Sequence, residues 1–340
     1  MTNTKNVTIS IVVPLFNEAE ILSELMRRIE ESARSLQIPS EIIAVNDGSS
    51  DNTLPRLIEI GRRLPELRIV NLFRNFGHMP ALSAGLNLAR GEAVVAMDGD
   101  LQDPPELIPQ FVAKWRAGAD IVYGLRTHRE ESFFQQKATT LFYWLLDKLS
   151  ERPIPKQAGT FCLMNRTTVD LLNRMPERDR YFAGLRAWVG GTQSFVTYER
   201  PRRAAGKSRV GTVGLLRLGR TALFSFSKIP LRYASLFSLL FGFILFAVGL
   251  TAIVKRLFTN LAIPGWATTT TLLGMIGFVQ SLLWAIMSEY IATIFDEIKG
   301  RPLFIVREEI VGGQIVRAEN EEMSSSKKRG SDSRLLRNDD

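Results

Sequence analysis

Residues 94–105, VVAMDGDLQDPP, constrain the fold of this chain most strongly. Their apolar part has the length and valine content of a fully buried β-strand, and the run ends abruptly in two carboxylates, Asp98 and Asp100. The carboxyl ends of parallel strands line the crevice in which ligands bind, and carboxylate oxygens suit a divalent cation such as Mg2+ or Mn2+. The stretch therefore predicts a cation site, although an isolated D-x-D is also typical of a solvated acidic turn.

Strand patterns and helix patterns alternate along the N-terminal part of the chain. Strands are predicted at residues 7–14, 41–46, 68–72, 93–97 and 120–123, with helices at 17–36, from about Ser50 or Asp51, at 78–90 and from Pro104. This alternation predicts a doubly wound, mainly parallel α/β sheet that binds nucleotide-type ligands at the carboxyl ends of its strands.

Polar turns follow three of the predicted strands at that same edge. They carry Asn17 and Glu18, then Asp47 and Asp51, and finally the D-x-D stretch with Gln102. Because solvated turns have no reason to converge, their meeting favours a ligand site. No G-x-G-x-x-G or G-x-x-x-x-G-K-[ST] motif follows the first strand, which argues against a dinucleotide-dependent oxidoreductase and a P-loop nucleotidase.

Two long stretches without a charged residue, 234–254 and 267–288, predict a transmembrane hairpin within residues 233–292. Each stretch is long enough to cross a bilayer core of about 30 Å as a helix. Lys and Arg flank the hairpin on its outer sides more densely than in its linker. This asymmetry predicts that both ends of the chain are cytoplasmic.

The remaining C-terminal segments are polar or amphipathic. Residues 211–232 have the pattern of an interfacial juxtamembrane helix, residues 293–317 are expected to form a cytoplasmic segment, and residues 318–340 a disordered tail. The chain carries 43 Lys and Arg against 35 Asp and Glu. That excess fits nucleic acid or an anionic membrane surface, and the two predicted spans favour the membrane, with no nucleic acid as a partner.

Cysteine and histidine exclude two classes of site. The lone Cys162 excludes an intramolecular disulfide and agrees with a reducing compartment. His78 and His128 lack the spacing of a zinc site. We interpret His78 as structural and expect His128 to lie near the phosphate-binding arginines described below.

Four motifs resemble those of one enzyme family. They are IVVPLFNE at 11–18, NDGSSDNT at 46–53, MDGDLQDPP at 97–105 and RAAGKSR at 203–209, and they resemble the inverting nucleotide-sugar glycosyltransferases of family two. More narrowly, they resemble the polyprenyl-phosphate branch, which includes dolichyl-phosphate mannose synthase and the bactoprenol glucosyltransferases. The resemblance extends from about residue 7 to residue 307. It implies an A-type glycosyltransferase domain, to which we assign residues 1–210.

The resemblance also implies roles for individual residues. Asp47 and the turn at 14–18 would hold the base and ribose, and Asp98 would lie near the ribose or diphosphate. The residues implied to bind the nucleotide sugar are Pro14, Phe16, Asn17, Glu18, Asp47, Asp98, Arg203, Lys207, Ser208 and Arg209, and those implied to bind Mg2+ or Mn2+ are Asp98, Asp100 and Gln102.

The acceptor implied by this branch is a polyprenyl phosphate, which is already largely anionic at neutral pH. A general base is then dispensable, and the reaction needs cations that offset the repulsion between two phosphorylated substrates. Arg126 and Arg129 follow the fifth predicted strand and suit the acceptor phosphate through bidentate hydrogen bonding. With Asp98 and Asp100 they form the predicted catalytic set.

The chain departs from the family pattern at two positions. Asn46 stands where many relatives have an aspartate, so one expected carboxylate is an amide. Gln157 aligns with a position that often carries Asp, and glutamine can neither take a proton nor carry charge. If that position serves catalysis in relatives, this chain is either impaired or uses another group.

The expected activity is inverting, metal-dependent transfer of one sugar to polyprenyl (undecaprenyl) phosphate on the cytoplasmic face of the inner (plasma) membrane. UDP-glucose is the favoured donor, and GDP-mannose, UDP-N-acetylglucosamine or a modified arabinose are alternatives. Processive polysaccharide synthesis is disfavoured because the chain has no Q-x-x-R-W motif and few spans. Because of Gln157, a membrane protein that binds nucleotide sugar without turnover is an alternative function. The sequence also allows a homo-oligomer.

Overall fold

The computed structural model of the protein describes residues 7–126, 158–178, 180–199 and 265–318, with scattered helical residues between 236 and 258. The described residues fall into two compact units. The first unit contains the described residues before 200 and those after 300. The second contains the described residues from 236 to 300.

The first part of the chain forms β1 (Ile9–Leu15), α1 (Leu22–Ser35), β2 (Ser40–Asn46), α2 (Thr53–Arg63), β3 (Leu67–Leu72), α3 (His78–Leu88), β4 (Ala93–Ala96), a 3-10 turn (Pro105–Leu107), α4 (Ile108–Arg116) and β5 (Ile121–Arg126). The later part forms β6 (Ala158–Asn165), α5 (Arg166–Arg174), α6 (Phe182–Val189), β7 (Gln193–Tyr198), α7 (Trp266–Ile298), β8 (Val306–Val311) and β9 (Gln314–Ala318).

One nine-stranded sheet, in the order β7-β5-β6-β4-β1-β2-β3-β8-β9, organises the first unit. Four neighbouring pairs are parallel (β1–β2, β1–β4, β2–β3 and β5–β7) and four are antiparallel (β3–β8, β4–β6, β5–β6 and β8–β9). The α/β prediction is confirmed, but the expectation of a mainly parallel sheet is wrong. The sheet is mixed because β6 runs backwards between β4 and β5, and because a C-terminal hairpin joins at β3.

The strand directions bring several carboxyl ends to one edge. Because β6 is antiparallel to both β4 and β5, those two strands run in the same direction. β4 is in turn parallel to β1, and β1 to β2. The residues that follow β1, β2, β3, β4 and β5 therefore all leave the sheet at the same edge.

The centre of the sheet is buried on both faces. Every residue of β1 and of β4 is buried, which explains why these strands are near-continuous apolar runs. Helix α1 covers one face with a stripe spaced three and four residues apart, formed by Leu22, Leu25, Met26, Ile29 and Ala33. On the same face Phe111 of α4 packs against Phe161 of β6, with ring centroids 4.6 Å apart.

Helix α1 begins later than the sequence predicts, whereas α2 begins close to its predicted start. Helix α1 begins at Leu22, whereas we expected a start at Asn17. Asn17 instead has a φ of 54°, a left-handed conformation that asparagine tolerates better than most residues. Helix α2 begins at Thr53, and the side chain of Asn52 makes no cap hydrogen bond. Asp51, one of the two residues predicted near its start, caps the first turn instead. The Asp51 carboxylate accepts hydrogen bonds from the backbone N–H groups of Thr53 and Ala19.

The two C-terminal strands lie mostly within the predicted cytoplasmic segment, residues 293–317, and belong to the sheet. β8 pairs with β3, and β9 pairs with β8. Gly312 and Gly313 both have positive φ, 59° and 78°, as a tight two-residue hairpin requires. Ala318, expected to begin the tail, is the last residue of β9, and residues 319–340 lie outside the described part.

Helix α7 covers the second predicted span and continues to Ile298. Within it Leu272–Ala292 is long and apolar enough to cross a membrane, and it is the one such helix among the described residues. The first predicted span falls largely outside those residues, as does the predicted interfacial helix at 211–232. The two-helix hairpin therefore stays a prediction.

Candidate active site

Hydrogen bonds donated mainly by backbone N–H groups join the turn after β1 to the turn after β2. Asn17 N donates to Ser49 Oγ at 3.0 Å, and Glu18 N donates to Thr53 Oγ1 at 3.0 Å. In return Ser50 N donates to Asn17 Oδ1 at 2.8 Å. Of the predicted nucleotide residues, Pro14 thus lies near the end of β1. Phe16, Asn17 and Glu18 lie in the turn that is held against the residues that flank Asp47.

Asp47 is buried and joins the β2 turn to the loop between β3 and α3. Its carboxylate accepts hydrogen bonds from Phe76 N at 2.7 Å and Gly77 N at 3.0 Å. Burial raises the pKa of Asp47, and the two backbone donors oppose that rise. The loop packs so closely that a Cβ on Gly48 would lie 2.4 Å from the carbonyl carbon of Arg74. Sequence reasoning missed this loop, although its position after β3 places it at the same edge.

Asp98 follows β4 and is held by side chains from two other elements. His78 Nε2, at the start of α3, lies 2.9 Å from Asp98 Oδ1, and Thr160 of β6 donates a hydrogen bond to the same carboxylate. Burial alone would raise the pKa of Asp98. The bonds from His78 and Thr160, with the charges of His78 and Arg126, hold that pKa below its ordinary value. His78, which we interpreted as structural, therefore belongs to the site.

Asp103 is a fully buried carboxylate that the sequence analysis did not single out. Its Oδ1 accepts hydrogen bonds from Tyr198 Oη at 2.7 Å and from Arg126 Nη2 at 3.4 Å, and its Oδ2 accepts one from Asp98 N at 3.2 Å. Burial, and then the nearby charge of Asp98, raise the pKa of Asp103 to about 6. The one local sign in the sequence that Asp103 belongs to the site is its place in the DLQDPP run. The sequence around Tyr198 gives no such sign.

Arg126 is the last residue of β5, at the edge of the sheet from which the D-x-D turn also leaves. Its Nε donates to Tyr198 Oη at 3.2 Å, and its side chain is 12% exposed. A Cβ on Gly159 would lie 2.7 Å from Arg126 Nη2, so the absence of a side chain at that position makes room for the guanidinium. Asp103, Tyr198 and Gly159 together fix where Arg126 lies.

Arg186 of α6 contacts β6, the strand that carries Gly159, and also β5. It is fully buried, and its Nη2 donates to Gly159 O at 2.6 Å. The guanidinium also lies over the rings of Tyr123 and Phe182, 4.9 and 4.4 Å from their centroids. Sequence reasoning missed this residue, because nothing in its local pattern distinguishes a buried arginine from a surface one.

The D-x-D turn offers oxygen ligands for a divalent cation. Asp100 is buried, and its Oδ1 accepts a hydrogen bond from Gln102 N at 3.1 Å. The turn between them closes through Leu101, which has a φ of 62°. The described residues contain no group of three or more His, Cys, Asp or Glu side chains suited to a metal. Two carboxylates and one amide fit a cation that receives its other ligands from a phosphorylated substrate and water.

Six predicted site residues lie outside the described part of the chain. They are Arg129, Gln157, Arg203, Lys207, Ser208 and Arg209. Their assignments stay predictions. Among the described site residues, the structure brings Asn17, Asp47, Asp98, Asp100 and Arg126 to one edge of the sheet.

Comparison with known proteins identifies the family. Residues 10–171 match the family model described as glycosyl transferase family 2. An uncharacterized glycosyltransferase from Synechocystis is 38% identical over 88% of this chain and 95% of its own length, and a second, YkcC from Bacillus subtilis, is 36% identical over 89% and 94%. The SfII prophage-derived bactoprenol glucosyl transferase of Shigella flexneri is 35% identical over 88% and 97%. The chain therefore belongs to glycosyltransferase family 2 and is a glycosyltransferase.

Proposed function

We propose that this enzyme transfers a sugar from a nucleotide sugar to a polyprenyl phosphate at the membrane, with UDP-glucose as the favoured donor and with inversion at the anomeric carbon. The observation that carries the proposal is the meeting of the D-x-D carboxylates with Arg126 at the edge that also bears the β1 and β2 turns. Support for the acceptor comes from near full-length relatives that are named bactoprenol glucosyl transferases.

The donor nucleotide is assigned to the turns after β1 and β2. Their backbone is already fixed by hydrogen bonds such as Asn17 N to Ser49 Oγ. A site whose geometry is set before binding loses less conformational entropy when the ligand arrives. Phe16 and Asp47 lie within these turns and would contact the base and ribose.

Mg2+ or Mn2+ is assigned to Asp98, Asp100 and Gln102. When bound, the cation would neutralise the charge that develops on the departing nucleoside diphosphate. Asp98 suits this role because the bonds from His78 and Thr160 keep its carboxylate ionised at neutral pH.

The acceptor phosphate is assigned to Arg126, together with Arg129. A phosphate monoester is largely dianionic near pH 7, so its oxygen can attack the anomeric carbon while the bond to the diphosphate breaks. No protein base has to remove a proton in that step. Asp103 and Tyr198 hold Arg126 in place beforehand, which fixes the direction of approach.

The membrane anchor is assigned to α7 and to the first predicted span. Leu272–Ala292 has the length and composition of a membrane-crossing helix. A long-chain lipid acceptor requires an enzyme that works at a bilayer surface, and the excess of Lys and Arg outside the spans favours the cytoplasmic face.

The test uses the full chain in detergent with undecaprenyl phosphate and Mn2+. UDP-glucose, UDP-N-acetylglucosamine and GDP-mannose are supplied separately, and the lipid product is detected by mass spectrometry with and without EDTA. We expect a chelator-sensitive product, and the largest yield from UDP-glucose. A chelator-resistant product would contradict the metal assignment. A product formed only from one of the other donors would assign that donor, and not UDP-glucose, to this enzyme.

A protein that binds nucleotide sugar without turnover is the second candidate, and Gln157 is its basis. It predicts donor binding with no lipid product from any donor. Gln157→Asp then separates the two cases, because a disabled transferase should recover activity whereas a binding protein should stay inactive.

A further inference from the structure

Three side chains from neighbouring strands form a continuous hydrogen-bonded row at the site edge. Asn46 of β2 lies opposite Asn71 of β3, and Asn71 lies opposite Glu308 of β8. Asn46 Nδ2 donates to Asn71 Oδ1 at 2.8 Å, and Asn71 Nδ2 donates to Glu308 Oε1 at 2.7 Å. Asn46 and Asn71 are buried, and Glu308 is half-buried. We call these three residues the amide relay.

The chemistry of Glu308 fixes the direction of the relay. An ionised carboxylate only accepts hydrogen bonds, so Asn71 must present its NH2 group to Glu308. Its carbonyl oxygen then faces Asn46, which must in turn present an NH2 group. An aspartate at position 46 has no such donor, and this accounts for the amide where many family members have a carboxylate.

The relay continues into the turn assigned to the nucleotide. Asn46 Oδ1 lies 3.4 Å from Ser49 N, and Ser49 Oγ accepts the hydrogen bond from Asn17 N at 3.0 Å. Asp47, the next residue along the chain, holds the loop after β3 through Phe76 N. Glu308 is therefore connected by side-chain hydrogen bonds to both turns that face the donor.

A second cluster holds β8 in register independently of the relay. Arg68 Nη2 lies 3.0 Å from Glu309 Oε2, and Arg68 Nη1 lies 2.8 Å from Glu41 Oε2. All three side chains are less than a tenth exposed. This cluster lies toward the starts of β2 and β3, away from the site edge, so it can stabilise the strand without touching the donor turns.

We propose that the amide relay positions the nucleotide-binding turn, and that the C-terminal strand β8 thereby sets donor affinity. Glu308, Asn71 and Asn46 are positioning residues that act through Ser49 and Asp47. The inference rests on the proposed function, because it takes the β1 and β2 turns as the donor site.

The test reverses the direction of the relay. In Asn46→Asp the new carboxylate forces Asn71 to turn its NH2 group inward, and the Asn71 carbonyl oxygen then meets the Glu308 carboxylate. Adding Glu308→Gln supplies an NH2 donor at that end, so every hydrogen bond can form in the opposite direction. Glu308→Gln alone keeps an accepting oxygen for Asn71.

The expected results form a double-mutant cycle. N46D raises the donor KM about tenfold, which corresponds to about 1.4 kcal/mol, within the range for one unsatisfied buried polar group. E308Q alone leaves the donor KM within about twofold, and the double variant returns it to within about threefold. The kcat stays within about threefold throughout. Glu309→Gln is the matched control, since it should lower the thermal unfolding midpoint without changing the donor KM.

Two results overturn the inference. One is a double variant as impaired as N46D, and the other is an N46D protein that loses thermal stability but keeps the wild-type donor KM. The dissociation constants of UDP for the same proteins are measured in parallel. If the wild type binds UDP but transfers no sugar, the proposed transfer fails, and the UDP affinities still decide whether the relay acts on the nucleotide turn.

Discussion

The two halves of the site are held in different ways. In the turn half, formed by residues 14–19 and 46–53, most of the bonds that set the geometry come from backbone N–H groups, such as those to Ser49 and Asp51. In the charged half, formed by Asp98, Asp100 and Asp103 with their partners, the side chains are held largely by other ionisable side chains, as in His78 to Asp98 and Tyr198 to Asp103.

This difference suggests that the turn half determines how the donor binds and that the charged half determines how it reacts. Backbone N–H groups do not titrate, so the hydrogen bonds that they donate in the turn half should depend little on pH. The charged half depends on which groups carry protons, because the pKa of Asp98 is lowered and that of Asp103 is raised. We therefore expect substitutions in the charged half to change turnover, acceptor binding or the metal-dependent part of donor binding. Substitutions in the turn half should change the donor affinity that does not depend on metal.

The largest expected effect is that of Asp100→Ala. Loss of a cation ligand should lower kcat by about 10² to 10³, the magnitude typical of losing one group that stabilises developing charge. Folding and membrane insertion should be retained, since Asp100 ends a turn at the edge of the sheet. Glu106→Gln is the matched control, because Glu106 lies on the same connection but pairs with Arg28 at the surface. Similar kcat values for the two variants would remove Asp100 from the reaction.

Arg126→Lys should raise the KM for polyprenyl phosphate about tenfold while leaving UDP affinity unchanged. Lysine keeps the charge but cannot hydrogen-bond two phosphate oxygens and Tyr198 in the fixed geometry of a guanidinium. Initial rates at varied lipid concentration measure the change. An unaltered acceptor KM would place Arg126 in the scaffold of the site and not at the acceptor.

Asp103→Asn should remove part of the pH dependence of the free energy of unfolding. The raised pKa of Asp103, about 6 against an ordinary 3.8, means that the folded state binds the proton more tightly than the unfolded state. Its contribution to stability is therefore lost as pH rises from about 4 to about 6. Relative to wild type, D103N should gain in unfolding midpoint across that window. A constant difference between the two proteins from pH 4 to pH 7 would contradict the burial of an ionisable carboxylate here.

Ser49→Ala should have the smallest effect, because it removes one neutral hydrogen bond from the turn half. We expect a rise of about threefold in the donor KM, corresponding to roughly 0.5–1 kcal/mol, with kcat unchanged. The rise should be the same at pH 6 and pH 8. A lowered kcat would break the separation between the two halves.

The central strands were predictable and the outer ones were not. β1, β2, β3 and β4 lie within about two residues of their predicted positions, because strands buried on both faces are apolar runs. β8 reads VREEIV, which looks like a solvated segment. Its Glu309 is buried only because Arg68, far away in sequence, neutralises it, and no local pattern reveals such a partner.

The site was predictable to a similar extent. Asp98, Asp100 and Arg126 follow predicted strands, so topology alone brings them to one edge. The sequence did not predict that His78, Asp103 and Tyr198 belong to the site, because their roles depend on long-range contacts. Tyr198, for example, contacts a carboxylate 95 residues earlier in the chain. The amide at position 46 was recognised as a departure, and its reason became visible only with β8 in place.

The most direct test of the separation between the two halves is the affinity for UDP, measured by calorimetry with and without Mn2+ on wild type and Asp100→Ala. We predict equal affinities without metal, because the turn half is intact in both proteins. Adding Mn2+ should tighten UDP binding to the wild type about tenfold or more, the free-energy equivalent of about 1.4 kcal/mol, and leave the variant unchanged. An equal gain in the variant would contradict the account, because the metal would then bind elsewhere than at the D-x-D turn.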